Sequence, residues 1–173
     1  SSQNFNFMIP SATNVAGGYV NLQRAVTTSF GQMAVPALNT AGGTLHVDTQ
    51  LGFPTGTESI GGLFSYLAKM NMISSVAGSI MLYDRVWSCT GFSGIVATAQ
   101  TVTSFPTLTR PDSNGTGLEI WIECYTALGA TASNITVQYT NSDNVSGRNT
   151  IATAIPTSLP ANRMFAVPLQ SGD

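Results

Sequence analysis

The sequence has few charged residues. Six Lys or Arg and eight Asp or Glu make up 8% of its 173 residues, whereas soluble domains carry about 25%. Mixed surface charge normally keeps a free monomer soluble, but here the formal net charge is −2 and 43% of the residues are hydrophobic. This composition is typical of a protein whose surface is covered by neighbours. We therefore expect a component of a larger protein assembly.

Basic clusters and long apolar runs are missing as well. The six cations are widely separated, at Arg24, Lys69, Arg85, Arg110, Arg148 and Arg163. A nucleic-acid surface needs clustered Lys and Arg, so direct binding of DNA or RNA is not expected. No apolar run reaches the roughly 18 residues that a membrane helix needs, and the sequence therefore predicts no membrane span.

Residues for catalysis or metal binding are scarce. The single histidine, His46, would share one face of a strand with Asp48, and nothing selects one of the many serines as a nucleophile. Two cysteines, Cys89 and Cys124, are too few for a zinc site with four ligands. They are either two buried thiols or one disulfide. No glycine-rich phosphate-binding motif is present.

Glu119 and Glu123 are the two carboxylates that could form a pair for glycoside hydrolysis. Four residues apart on a strand, they would lie about 13 Å from each other, whereas the catalytic carboxylates of a glycosidase are roughly 5–9.5 Å apart. We therefore predict a solvated strand face. No catalytic, cofactor or metal residue is assigned, and an enzyme is not expected.

Short apolar runs separated by turn residues recur along the chain, with 17 Gly and 8 Pro scattered through it. The alternation predicts strands over residues 79–88, 98–104, 118–126, 134–140, 150–155 and 163–170, the first of them in a hairpin with residues 64–75. Long helices do not alternate with these strands. The sequence therefore predicts an all-β fold, an antiparallel β-sandwich or barrel.

The segment 118–126 alternates well. Leu118, Ile120, Ile122 and Cys124 would face inward, whereas Trp121 and Tyr125 would face outward between acidic residues. An outward aromatic face of this kind either covers a partner protein or stacks on a sugar. Trp121 and Tyr125 are therefore candidate interaction residues.

Residues 1–18 resemble an extended arm ahead of a single domain at residues 19–173. The apolar residues of this arm are Phe5, Phe7, Met8 and Ile9. An apolar segment without a partner in its own domain suggests docking onto a neighbour. The alternative is a first edge strand of the domain itself. We take the four apolar residues as candidate interaction residues.

Asp84 shares a predicted strand face with apolar residues such as Leu82 and Val86. A buried carboxylate needs hydrogen-bond or charge partners. We predict that Asp84 is held by an arginine, Arg148 or Arg110, or by backbone N–H groups. This would be a structural polar lock without a catalytic role.

Four stretches of the chain resemble a family of tailed-bacteriophage structural proteins. They read SVAGSIMLYDRVW (75–87), GFSGIVATAQTV (91–102), GLEIWIECYTALGATASNITVQYTNSDNVSGRNT (117–150) and RMFAVPLQSGD (163–173). The motifs LYDR, YTN and SGR are specific in combination and carry no catalytic meaning. The resemblance covers about residues 60–173.

The resemblance implies a virion protein, and in particular a capsid cement or decoration protein with a jelly-roll fold. Such a protein would lie on the outer surface of the capsid, bridge subunits of the major capsid protein, and associate with itself as a dimer or trimer. It would need no cofactor and would touch neither DNA nor membrane. Two alternatives stay open: a tail, baseplate or fibre component, and a carbohydrate-binding β-sandwich module that uses Trp121, Tyr125 and Trp87.

Overall fold

The computed structural model describes residues 14–20, 43–45, 77–79, 81–103, 105–108 and 115–173. Those residues form nine short antiparallel strands, and within these ranges there is no helix. The strands are β1 (Tyr19–Val20), β2 (Thr44–Leu45), β3 (Trp87–Ser88), β4 (Ile120–Cys124), β5 (Asn134–Ile135), β6 (Gln138–Tyr139), β7 (Arg148–Asn149), β8 (Thr153–Ala154) and β9 (Arg163–Val167). The described part of the chain is therefore all-β.

The largest sheet has three strands in the order β1-β9-β4. β4 and β9 pair along their whole length, from Ile120 opposite Val167 to Cys124 opposite Arg163. One face carries Ile120, Ile122 and Cys124 of β4 beside Phe165 and Val167 of β9, which fits a sheet with this side against a core. The strands predicted over 118–126 and 163–170 contain β4 and β9, and these two predictions are confirmed.

The core lies on one face of this sheet. Cys124, Leu159, Phe165 and Val167 form its buried cluster, and Leu159 has no exposed area. Partly buried apolar residues surround the cluster, namely Val15, Ile120, Ile122, Leu128, Ile135, Val137 and Ile155. The inward face predicted for β4 is thus confirmed by its packing.

An interrupted hairpin follows β4. β6 pairs with β7 through Tyr139 opposite Arg148, and the pairing of β5 with β8 is one residue out of step with it. The returning strand therefore carries one extra residue between β7 and β8, as in a β-bulge. At this break the Ile151 N–H donates to Pro168 O at 3.1 Å. This bond joins the hairpin to the segment that follows β9.

Residues 14–18, assigned from the sequence to an arm, contact the domain. Val15 packs against the core, and within the segment itself Asn14 Nδ2 donates to Gly18 O at 2.6 Å. β1 then pairs with β9 at the edge of the three-stranded sheet. The apolar residues Phe5, Phe7, Met8 and Ile9 lie outside the described residues, and their docking onto a neighbour stays a prediction.

Two strand predictions are wrong in the described residues. Of the strand predicted over 79–88, only Trp87–Ser88 is formed, and residues 81–84 are exposed instead of covered on both sides. Residues 98–103 form no strand. Alternation shows that a segment is able to form a strand, but pairing also needs a neighbour, and the β2–β3 ladder spans only two residues. The predicted hairpin partner 64–75 lies outside the described residues.

Candidate interaction surface

The outer face of the β1-β9-β4 sheet carries an aromatic pair. The Tyr19 and Trp121 rings meet edge to face, with centroids 5.0 Å apart and planes at 84°. The sheet register produces this contact, because Tyr19 lies opposite Met164 and Trp121 lies opposite Ala166 on the central strand. Met164 is buried. Tyr19 is exposed and Trp121 half-buried, so the aromatic pair is accessible from solvent.

Both glutamates of β4 and its approach have structural partners. Trp121 Nε1 donates to Glu119 Oε2 at 2.8 Å. Arg85 Nη2 lies 3.2 Å from Glu123 Oε2, and both side chains of this ion pair are largely buried. Arg85 thereby ties the segment before β3 to the sheet. Glu123 is thus paired with Arg85, whereas Glu119 lies exposed beside the aromatic pair.

The aromatic site differs from the prediction in the residue that Trp121 contacts. Trp121 contacts Tyr19, a residue that the sequence pattern did not single out, while Tyr125 lies half-buried just after β4. An edge-to-face pair presents no continuous flat platform for a sugar ring. Trp87 lies elsewhere, tilted by 44° against Phe105 with ring centroids 4.5 Å apart.

The predicted polar lock between Asp84 and Arg148 is wrong. Asp84 is exposed, so the premise of a buried carboxylate fails. Arg148 instead donates from Nε and Nη2 to Asp173 Oδ2, at 3.1 and 2.9 Å. The cause lies in the local structure: residues 81–86 form no strand, so strand alternation does not decide which way Asp84 faces. The other named partner, Arg110, lies outside the described residues.

Asp173 is the centre of a polar cluster that sequence reasoning missed. Its carboxylate accepts hydrogen bonds from the Tyr139 hydroxyl, from Asn141 Nδ2 at 2.8 Å and from Arg148. The Asp173 side chain is only 2% exposed. The Tyr139 oxygen also accepts the Gln170 N–H at 3.2 Å. We call these side chains the Asp173 clasp, which fastens residues 170–173 to the β6–β7 hairpin.

The clasp stabilises the ionised carboxylate. Hydrogen bonds from Tyr139 and Asn141, followed by the bond and charge of Arg148, hold the pKa of Asp173 below its ordinary value. The same carboxylate raises the pKa of Arg148. The signal for this cluster was present in the hairpin pattern, because pairing of Tyr139 with Arg148 makes a phenol and a guanidinium neighbours that together fit an anion.

The cysteines are both free thiols. Cys124 belongs to the buried core, and Cys89 is half-buried just after β3. Burial raises the pKa of both thiols, and the charge of Glu123 adds to this effect at Cys124. Of the two alternatives drawn from the sequence, the disulfide is therefore ruled out in this structure.

Three further observations concern metal binding, membrane-spanning helices and the single histidine. In the described ranges, no group of three or more His, Cys, Asp or Glu side chains converges on a metal position. The same ranges contain no helix that is long and apolar enough to cross a membrane. His46 and Asp48 lie outside the described residues.

Large apolar side chains are exposed along the segment 81–105. They are Met81, Leu82, Tyr83, Phe92, Ile95, Val96 and Phe105. We call this set the apolar segment. Its base is fixed at β3, where Gly43 has φ +67° and leaves no space for a side chain against Trp87 and Ser88. The segment is thus held to the β2–β3 ladder while its apolar side chains face solvent.

Comparison with protein-family models, with curated proteins and with solved structures finds no match.

Proposed function

We propose that the chain is a structural virion protein, a capsid cement or decoration protein of a tailed bacteriophage. One observation carries the proposal. Within the described residues ten large hydrophobic side chains are exposed, whereas six hydrophobic side chains are buried. Exposure of apolar side chains to water is unfavourable in free energy. Contiguous exposed apolar patches commonly mark interaction sites.

The low charge of the chain supports the same proposal. A protein that bridges subunits on the outside of a shell needs a broad contact surface, and charged residues are depleted at the centres of such interfaces. The scattered cations give no surface for packed DNA. We therefore place the chain on the outer surface of the capsid, in contact with the major capsid protein and with other copies of itself as a dimer or trimer.

A jelly-roll sandwich is the architecture that we propose for this chain. The family resemblance over about residues 60–173 points to a jelly-roll sandwich. Support comes from antiparallel strands that pair out of chain order, with β9 between β1 and β4. The core lies on one face of the β1-β9-β4 sheet, and on the opposite face the Tyr19–Trp121 pair is accessible for contacts.

The copy number and position of the chain in purified virions test the proposal. Cryo-electron microscopy should reveal regular density on the outside of the head, joining adjacent major capsid subunits, with quantitative mass spectrometry giving hundreds of copies per particle. A few copies, or density in the tail, would favour a tail, baseplate or fibre component and refute the cement role.

A carbohydrate-binding module is the second function to be tested. A glycan array with the purified chain, followed by titration of the tryptophan fluorescence of a Trp87→Phe variant, which retains Trp121, would detect it. Because the Trp121 indole N–H is bonded to Glu119 and its ring meets the Tyr19 ring edge to face, we expect no glycan to change the fluorescence. Saturable binding to one sugar class would favour the carbohydrate-binding function over the cement function.

A further inference from the structure

The loop between Ser93 and Gln100 is closed by its own side chains. Gln100 Nε2 donates to Ser93 O at 2.8 Å, and the Ser93 N–H donates to Gln100 Oε1 at 2.8 Å. The Gln100 amide thus makes with Ser93 the two bonds that a hydrogen-bonded residue of a neighbouring antiparallel strand would make. Inside the loop the Ile95 N–H donates to Ser93 Oγ at 3.4 Å. The closed loop therefore has a defined conformation without regular secondary structure.

This loop holds its most apolar residue away from the domain. Ile95 is 96% exposed, and Val96 beside it and Phe92 before the loop are exposed too. A loop that served only as a connection would gain free energy by covering an isoleucine or by replacing it with a polar residue. A closed loop with isoleucine at its turn has the form of a preformed anchor, since preorganisation lowers the entropy cost of binding.

The charge pattern identifies the kind of surface that fits this anchor. No charged residue occurs between Arg85 and Arg110. Nucleic acid would require cations around the loop, and a membrane-surface site would require basic residues flanking the apolar tip. An uncharged apolar pocket on another protein matches the loop without leaving a charge unpaired.

We propose that Ile95, held by the Ser93–Gln100 closure, inserts into an uncharged apolar pocket of the major capsid protein and anchors the chain on the shell. This inference rests on the proposed cement function, whose partner it specifies. Ile95 would be the central anchor of the contact, with Phe92 and Val96 packing around it. Gln100 is a positioning residue that keeps the anchor in its bound conformation.

Binding of variants to head shells tests the inference. The shells are purified from a phage that lacks this chain, and the purified chain is added over a range of concentrations and sedimented with them. We expect Ile95→Ser to weaken binding by roughly 10- to 100-fold. Ile151→Ser is the matched control, since Ile151 is also an exposed isoleucine but lies outside the apolar segment. It should bind as the unaltered chain does.

Gln100→Ala tests the closure with Ile95 still present. We expect it to weaken binding by several-fold while thermal unfolding of both Ile95→Ser and Gln100→Ala stays close to that of the unaltered chain, because neither side chain belongs to the core. Unchanged binding of Gln100→Ala would refute the positioning role.

The outcomes separate the two proposals. If the unaltered chain binds shells and Ile95→Ser binds equally well, the anchor is refuted and the cement function stands. If the unaltered chain does not bind shells, the cement function fails, and the named partner fails with it. Equal losses in Ile95→Ser and Ile151→Ser would also refute a specific anchor. Flotation of the chain with phosphatidylcholine vesicles, abolished by Ile95→Ser, would assign the loop to lipid and overturn the inference.

Discussion

Replacing Gly18 by alanine should destabilise the chain because the new methyl group meets the core. A Cβ at Gly18 would lie 2.5 Å from Leu159 Cδ1, 2.7 Å from Asn14 Oδ1 and 3.3 Å from Val15 O. Favourable carbon contacts need about 3.5–4.0 Å, so the neighbours must move. Overpacking of this kind costs about 1–3 kcal/mol in the free energy of unfolding.

The companion variant is Leu159→Ala. Leu159 has no exposed area and lies in the core cluster, so its truncation should cost about 2–5 kcal/mol through lost burial and the cavity left behind. In the double variant the Leu159 Cδ1 atom is absent, and the methyl group added at Gly18 occupies part of that cavity. We therefore expect the double variant to be more stable than the summed costs by about 1–2 kcal/mol.

Urea unfolding followed by tryptophan fluorescence measures this cycle, with thermal unfolding as a second readout at roughly 2–4 °C per kcal/mol. Gly129→Ala is the control, since a Cβ there would meet nothing within 4 Å. It should change stability by about 0.5 kcal/mol or less. Costs at Gly18 and Leu159 that add to within about 0.5 kcal/mol would refute the direct contact.

Three other predictions concern the clasp, the β2–β3 ladder and the thiols. Folding lowers the pKa of Asp173, so its contribution to stability is complete above the unfolded-state pKa of about 4. This contribution is lost as the pH falls through the lower folded-state pKa. Melting temperatures measured against pH should show the loss in the unaltered chain and not in Asp173→Asn. Gly43→Ala should destabilise the chain by about 2 kcal/mol in urea unfolding, because φ is +67° and the new Cβ would strike Ser88 O; the cost would vanish if the β2–β3 ladder did not form. Two thiols should titrate with a chromogenic disulfide under denaturing conditions, with Cys124 protected in the folded chain; absence of free thiols would contradict the structure.

Strands β4 and β9 were predictable because their signal is local and their pairing completes it. Each strand pairs over five residues, and the apolar residues Ile122 and Phe165 lie directly opposite each other in the β4–β9 pair. A strand with one buried face has its register fixed by the alternation of its side chains. The inward face of β4 therefore followed from the sequence alone.

The segment before β3 was not predictable in the same way. Its alternation suggested a strand covered on both faces, but only Trp87–Ser88 finds a partner strand, and the residues before Arg85 stay exposed. The same error misplaced Asp84, since its burial was inferred from a strand that does not form there. Pairing depends on distant chain, which a local pattern does not contain.

The Asp173 clasp was missed for a related reason. Asp173 is separated from Arg148 by 25 residues and from Tyr139 by 34. No short motif links them. The link is made by the register of β6 with β7 and by the Ile151–Pro168 bond, which brings the segment after β9 back to the hairpin. Residue types alone could indicate an anion partner for Arg148 but not which carboxylate supplies it.

The β4–β9 pair and the apolar segment should differ in local stability, and this difference connects stability with assembly. β4 and β9 pair along five residues over a buried core, whereas the apolar segment exposes its large side chains to solvent. Local opening should therefore be rare in the sheet and frequent in the segment. A partner present at 100 times its dissociation constant adds about 2.7 kcal/mol to the stability of the state it binds. On shells, amide hydrogen exchange should slow most in residues 91–100 and little in β4, which is already protected in the free chain. Equal slowing throughout would mean that binding stabilises the whole domain through another surface, and no slowing at residues 91–100 would separate the apolar segment from assembly.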